Sequence, residues 1–325
     1  MTIEARTIGA RAHGRVNLIG DHTDYTGGFV LPMAIEPFTE ITGEFVDDAM
    51  WHLTSDHDPV PLHIDLPLED PSSVQPEWGR YVAAVIAEIA ASGRRVRGFR
   101  GRVTSNLPIG SGLSSSAALE VAVARIVLGD EEVDAVEIAE MCRRAEHRAS
   151  GVPCGIMDQL CIAAGTPNRP VLIDCSSLDM EHLSLPVGAR ITYEFVAPRR
   201  LRGSEYATRV AEARSATESI GPLRDATIDD VESIADPVIR RRARHIVTEN
   251  RRVLDFASAM KVGDLESMGR LMVESHRSMQ FDYETSNATM DDAVERTLAE
   301  PGVLGARLTG GGFGGCVVAL RLDDR

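Results

Sequence analysis

No stretch of the 325-residue sequence approaches the run of roughly 18 apolar residues that a membrane-spanning helix needs, and Met1 opens no charged, apolar, small-residue leader. A cytoplasmic protein that stays off the membrane is expected. Positive charge is scarce as well: 34 Lys and Arg stand against 49 Asp and Glu, a formal net charge of -15 that repels nucleic acid. The one basic run, Arg240 to Arg244 with Arg251 and Arg252, has acidic neighbours and no aromatic platform, so it reads as the solvated face of a helix. Cysteine pairs are missing too. Cys142, Cys154, Cys161, Cys175 and Cys316 form no C-x-x-C and sit in apolar or Gly-rich surroundings, which predicts reduced thiols rather than a disulfide framework. There is no internal repeat.

What is present is a hydrophobic content of 43%, enough for a sizeable core, with helix-like and strand-like segments alternating along the chain. Residues 1–60 read as sheet, including the alternating Thr39-Glu40-Ile41-Thr42. Helices are expected from Ser114 and over Ile138 to Ala149, the second capped by Gly151. Strands follow at 171–173 and 191–195. The polar stretch between them places a domain boundary near residue 180, dividing the chain into 1–180 and 181–325. The second half is mostly helical until a strand, Gly-rich turn, strand pattern over 303–322.

Three segments carry chemistry. The first, G-R-V-N-L-I-G-D-H-T-D-Y at 14–25, crowds Arg15, Asn17, Asp21, His22 and Asp24 between glycines. Such a set can distinguish the hydroxyls of a polyhydroxylated ligand; it could equally be an Asx-rich turn capping its own backbone, or a metal site. The second, P-I-G-S-G-L-S-S-S-A-A at 108–118, feeds an apolar helix. Its backbone N–H groups and the helix dipole can cradle phosphate, although no Lys follows as in a Walker loop, and a flexible linker or a Ser-capped helix has the same composition. The third, L-T-G-G-G-F-G-G-C at 308–316, needs either several φ > 0 positions or a very close approach of backbone or ligand.

Together and in this order, the three segments closely resemble the galactokinase branch of the GHMP small-molecule kinases. Further matching stretches are G-V-P-C-G-I-M-D-Q at 151–159, L-I-D-C at 172–175, S-E-Y at 204–206 and G-R-L-M-V-E-S-H-R-S at 269–278, so the resemblance runs over nearly the whole chain. It implies an α+β fold of two domains. The N-terminal one would hold a mixed sheet and the phosphate-loop helix, the C-terminal one would be ferredoxin-like, and the active site would lie in the cleft between them.

The activity implied is transfer of the γ-phosphoryl group of ATP to the anomeric hydroxyl of galactose, with ATP and Mg²⁺ as cofactors, by a monomer. Asp158 would be the catalytic carboxylate and Arg15 its partner, a pairing that makes physical sense because a guanidinium keeps a carboxylate ionised and neutralises phosphoryl charge. Asp21, His22, Asp24, Gly155 and Tyr206 match the sugar-contacting positions. Gly110, Ser111, Gly112, Leu113, Ser114, Ser115 and Ser116 form the phosphate loop, Trp78 matches the aromatic near the adenine, and Ser116 and Glu146 match the Mg²⁺-associated positions.

Three departures stand out. Asp21 replaces the family's usual Glu, His13 replaces the Pro before Gly14, and the chain ends at Arg325 soon after the third motif, leaving either a final domain without an edge element or a chain cut short. Rival readings are a kinase for N-acetylgalactosamine, galacturonate or arabinose, and a non-catalytic galactose sensor. The complete G-L-S-S-S-A-A loop with Arg15 and Asp158 favours catalysis. Asp21 speaks against galacturonate, whose own carboxylate calls for a cation.

Overall fold

A computed structural model describes residues 7–108, 110–198 and 204–323, so Ile109 of the Gly-rich loop and the expected domain limits at 1 and 325 lie outside the described residues. The chain sorts into two compact units. One comprises residues 1–14, 35–107 and 114–164, the other 15–34, 108–113 and 165–325.

In the first unit the long strand β2 (Phe29–Val46) pairs antiparallel with β5 (Gly98–Ser105) over residues 39–46, and β5 pairs parallel with β3 (Met50–Ser55). The strand β4 (Leu62–Asp65) closes that edge antiparallel to β3, so the sheet is mixed. Residues 39–42 alternate as a half-buried strand should, with Ile41 fully buried and Glu40 at the surface side. Four helices, α1 (Gly79–Ala91), α2 (Ser115–Leu128), α3 (Ala135–Ser150) and α4 (Met157–Ala164), pack on one another. The helix α3 is capped at its start by Asp134 and at its end by left-handed Gly151, whose N–H reaches the His147 carbonyl. The core is built from Trp51, Phe99, Val82, Ile86, Val121 and Cys142.

The second unit holds β1's last residues (β1 is Ile8–Ile19) and the start of β2, against which β6 (Val171–Asp174) and then β7 (Met180–His182) pair. A separate antiparallel sheet runs in the order β8 (Ala189–Ala197), β10 (Gly315–Leu322), β9 (Val303–Thr309), with the last strand in the middle. Around it lie α5 (Ser204–Ile220), the short α6 (Ile228–Glu232), the 26-residue α7 (Pro237–Val262), α8 (Leu265–Phe281) and α9 (Ala288–Leu298). Gly269 and Gly305 let α8 and β9 meet backbone to backbone, since a Cβ on Gly305 would sit 2.4 Å from the Gly269 carbonyl oxygen.

The arginine run on α7 differs from a uniformly solvated face. Arg241 and Arg244 do lie at the surface in ion pairs with Glu284 and Glu232, but Arg242 is buried and bonds Glu212, Glu284 and the Asp282 carbonyl. One turn of the helix therefore points its guanidinium inward, where carboxylates from α5 and the loop after α8 neutralise it. All five cysteines are free thiols, three of them buried. Among the described residues no helix is long and apolar enough to cross a membrane.

Candidate active site

The first chemical segment leaves β1 at Gly20 and turns back into β2 through a one-turn 3-10 helix, Asp24–Thr26, ended by left-handed Gly27. Thr23 closes this turn: its hydroxyl lies 2.8 Å from the Gly20 carbonyl and 2.7 Å from that of Phe29, while its own carbonyl accepts from Gly28 N–H. The turn is thus stapled by a threonine, and the Asp21 side chain points elsewhere. Asp21 Oδ1 accepts from Asn17 Nδ2 at 2.9 Å and from the Gly310 N–H at 3.1 Å, and Oδ2 accepts from Arg307 Nη2. Asp21 and Arg307 are both fully buried. Burial pushes the Asp21 carboxyl up, while Arg307 and Asn17 work against that rise.

A second buried acid lies beside this pair. Glu249 of α7 accepts from the Gly20 N–H, from Ser275 Oγ on α8 and from Arg252. Burial alone would raise it, but Arg252, His245 and Arg307 more than offset burial and hold it at about 2. His245, one turn earlier on α7, bonds the Asp21 carbonyl through Nε2, and burial pushes its imidazole down to about 4. Thr309 on β9 completes the tie by bonding the Asn17 backbone at both its N–H and its carbonyl.

His22 adopts a left-handed backbone, φ 68°, rare for a non-glycine residue. Its ring is enclosed by three tyrosines, with centroids 5.9 Å from Tyr25, 5.6 Å from Tyr206 and 4.6 Å from Tyr283. Asp24 lies in the 3-10 turn and Tyr206 near the start of α5, so Asp21, His22, Asp24 and Tyr206 all belong to the second unit.

Arg15 belongs there too, 2% exposed, with its Nη1 donating to the Gly112 carbonyl at 2.6 Å and its N–H to that of Leu113. It is thereby fastened to the part of the Gly-rich loop, Gly110 to Leu113, that shares its unit. Ser111 is buried and caps the Pro108 carbonyl. The third motif needs glycine for both reasons at once. Gly310, Gly312, Gly314 and Gly315 have positive φ, and a Cβ on Gly312 would come within 2.4 Å of the Thr285 carbonyl oxygen.

Ser114, Ser115, Ser116, Glu146, Gly155, Asp158 and Trp78 fall in the first unit. Ser114 takes a left-handed conformation, φ 62°, just before α2, and its hydroxyl donates to Asp158 Oδ2 at 2.5 Å instead of capping the helix. A strained non-glycine backbone at a helix start, spent on orienting a carboxylate, marks a functional position. Asp158 stands in the first turn of α4. Next to it Gln159 donates to Glu120 Oε2 at 3.1 Å. Burial first, then Glu146, raises Glu120 well above the usual carboxylate range. Burial also raises Glu146, against hydrogen bonds from Glu120 and Ser116, and Asp158 adds to the rise. Gly155 is buried in the loop before α4, where the neighbouring Cys154 carbonyl bonds His147. Trp78 sits at the start of α1 with its indole N–H buried and no hydrogen-bond partner among the described residues.

Arg307, Glu249, Glu120 and Tyr283 were not among the residues that the sequence singled out. Arg307 carried a faint signal, a charge inside the apolar strand V-L-G-A-R-L-T, and Glu120 another, an acid inside the apolar start of α2.

A Gly-rich loop opening a helix, a carboxylate held at that helix start and a Gly-rich hairpin in an α+β frame of two units fit a small-molecule kinase of the GHMP type. Family models agree in three places: the GHMP kinases N terminal domain matches residues 80–166, the GHMP kinases C terminal matches 256–324, and the galactokinase galactose-binding signature matches 3–44. The chain is 41% identical to galactokinase of Homo sapiens and 40% identical to that of Chloroflexus aggregans, each alignment covering 96% of this chain and 83% of the relative. A solved Lactococcus lactis galactokinase, complexed with galactose, superposes with a TM-score of 0.92 at 32% identity, over 98% of this chain and 86% of that one. Mevalonate kinase of Methanococcus jannaschii, at 18% identity and a TM-score of 0.70, shares the fold. The chain belongs to the galactokinase family.

Proposed function

We propose that this protein is a galactokinase, transferring the γ-phosphoryl group of ATP to the anomeric hydroxyl of galactose to give galactose 1-phosphate and ADP. The observation that carries the reading is the Asp158 carboxylate gripped by the Ser114 hydroxyl where the phosphate loop becomes α2. An acid oriented beside a ready anion cradle suits transfer from a nucleotide to a hydroxyl. Asp158 orients the 1-hydroxyl and receives its proton. Arg15, held by the Gly112 carbonyl, supplies the guanidinium that balances charge on the phosphoryl group. The sensor alternative is disfavoured because loop, Asp158 and Arg15 are all intact.

Asp21, His22, Asp24, Gly155 and Tyr206 form the proposed sugar-contacting set. A carboxylate offers about four acceptor positions; Asn17, Gly310 and Arg307 occupy three on Asp21, so Oδ2 keeps one for a hydroxyl. Trp78, with its buried, unsatisfied indole N–H, is the proposed neighbour of the adenine.

Mg²⁺ fits the first unit's acids. Ser116 bonds Glu146, and Glu120 and Glu146 are crowded with Asp158 without an arginine or lysine among the main groups acting on them. Mg²⁺ keeps several waters and leans on substrate phosphates, so a few oxygen ligands suffice. Ser116 and Glu146 would hold it, and it would supply neutralisation of the phosphate charge. The boundary near residue 180 falls between the two GHMP matches. A cytoplasmic monomer completes the proposal.

An ADP-release assay with Mg-ATP over a panel of hexoses and pentoses tests the reading. Galactose should give the highest kcat/KM and a 1-phosphate product; a higher value for N-acetylgalactosamine or arabinose, or no ADP with any sugar, would overturn it.

A further inference from the structure

The enclosure of His22 has a direction built into it. Its Nδ1 lies 3.0 Å from the Tyr25 hydroxyl, that hydroxyl lies 2.6 Å from the Tyr283 hydroxyl, and the Tyr283 hydroxyl lies 3.2 Å from the Arg209 carbonyl. All four groups are in the second unit. A carbonyl only accepts, so the last bond exists only if Tyr283 donates to Arg209. Tyr283 has then spent its one proton and must accept from Tyr25. Tyr25 has spent its proton in turn and must accept from His22 Nδ1–H. Run this way the chain makes three hydrogen bonds; reversed, with Tyr283 donating to Tyr25 and Tyr25 to His22, it makes two and forfeits the carbonyl. Inside a buried cluster each forfeited bond has a cost, because Tyr283 is fully buried and water does not replace it.

The rings keep His22 from escaping this constraint. Tyr25 meets it edge on, Tyr206 and Tyr283 lie tilted against it, and its backbone is already fixed in the left-handed region. Tyr283 is itself stacked against His245 at 4.6 Å and follows Asp282, whose carbonyl takes the buried Arg242.

We infer that Tyr283 and Tyr25 are positioning residues that lock His22 in its Nδ1–H tautomer, so that its Nε2 meets the sugar as a hydrogen-bond acceptor and demands a hydroxyl that donates. The inference rests on the reading of this loop as the sugar site. It makes the histidine selective for a hydroxyl over a group that only accepts, such as a fluorine or an ether oxygen at the same carbon. It also assigns a role to Tyr283, which lies 258 residues from Tyr25 in sequence and outside the short stretches that carried the sequence resemblance.

The full-length protein labelled with ¹⁵N-histidine tests it by NMR at pH 8, the His22 signal being the one lost in His22→Gln. The proton should reside on Nδ1 in the wild type. Tyr283→Phe keeps the ring and its packing but frees the Tyr25 proton to turn toward Nδ1, so the His22 proton should move to Nε2. In the same variant KM for galactose should rise about tenfold, the worth of one hydrogen bond, with kcat changed far less. Tyr25→Phe, which removes the acceptor itself, should raise KM by a similar factor. A wild-type proton on Nε2, or an unmoved tautomer in Tyr283→Phe, overturns the inference even if the protein phosphorylates galactose. A proton on Nδ1 with no galactose phosphorylation instead overturns the sugar reading, and the hydroxyl half of the inference with it.

Discussion

Two buried clusters of acids face opposite situations. In the second unit Asp21 and Glu249 are surrounded by Arg307, Arg252 and backbone N–H groups, and Glu249 is held at about 2, ionised under all ordinary conditions. In the first unit burial raises both Glu120 and Glu146, with Glu146 adding to the rise of Glu120 and Asp158 to that of Glu146. One cluster carries its own cations and behaves as a clasp, tying the loop after β1 to α7, α8 and β9. The other has no arginine or lysine among the main groups acting on it, as suits the proposed Mg²⁺ and nucleotide site. Buried charge is stable where its counterion is built in, and chemically poised where the counterion arrives with the substrate.

The contrast breaks most sharply at the poised cluster. Asp158→Asn should lower kcat by roughly 10³-fold while isothermal titration still detects galactose binding, if the carboxylate acts on the reacting hydroxyl as proposed. A near-normal kcat would move the chemistry elsewhere. At the clasp the effect should appear in stability: Arg307→Met strands the Asp21 charge in a dry interior and should cost about 3–5 kcal/mol in denaturant unfolding. A loss under 1 kcal/mol would mean that Asn17 and the Gly310 N–H suffice to hold the carboxylate.

Acid should attack the clasp in a defined order. His245 and the buried His276 of α8, whose Nδ1 accepts from the Leu308 N–H, have folded values of about 4, depressed by burial from an unfolded value near 6.5. The unfolded chain therefore binds more protons between these limits, and stability, complete above pH 6.5, should fall as pH drops toward 4. For the fully buried His245 the shift corresponds to a loss on the order of 3 kcal/mol. Glu249, depressed to about 2, adds a further loss from about pH 4.5 down to 2. Thermal melts from pH 7 to 4 check this, and His245→Gln should flatten the upper part of the curve; an unchanged curve removes His245 from the account. The smallest effect belongs to Glu120→Gln. It keeps an N–H donor for Glu146 and an acceptor for Gln159 while removing the proton that burial forces Glu120 to take up, and should raise stability by about 1 kcal/mol in the free protein. A drop in melting temperature would show that Glu120 is charged and paired there.

Much of the fold was legible because it rests on local rules. Gly151 capping α3, the alternation at residues 39–42 and the glycines of the hairpin at 310–315 each follow from backbone geometry within a few residues. Asp21 shows where legibility stops. From the motif it reads as a loop acid facing a sugar; that its carboxylate also meets Arg307, 286 residues further on, is announced by no local pattern. Arg242 was misread as solvated for the same reason, since its carboxylates come from α5 and from the loop after α8.

By itself, then, the sequence determined the class of protein, the location of the Gly-rich loop proposed to hold phosphate, and the identity of the acids and cation proposed for the chemistry. These are properties of short motifs whose backbone conformations are set by neighbouring residues. Only the tertiary structure decided which buried charges carry their own counterions, that Ser114 grips Asp158, and that two tyrosines from distant parts of the chain close on His22. Protonation, tautomer and orientation of a buried group depend on what the fold places within about 3–4 Å of it, whatever the sequence separation.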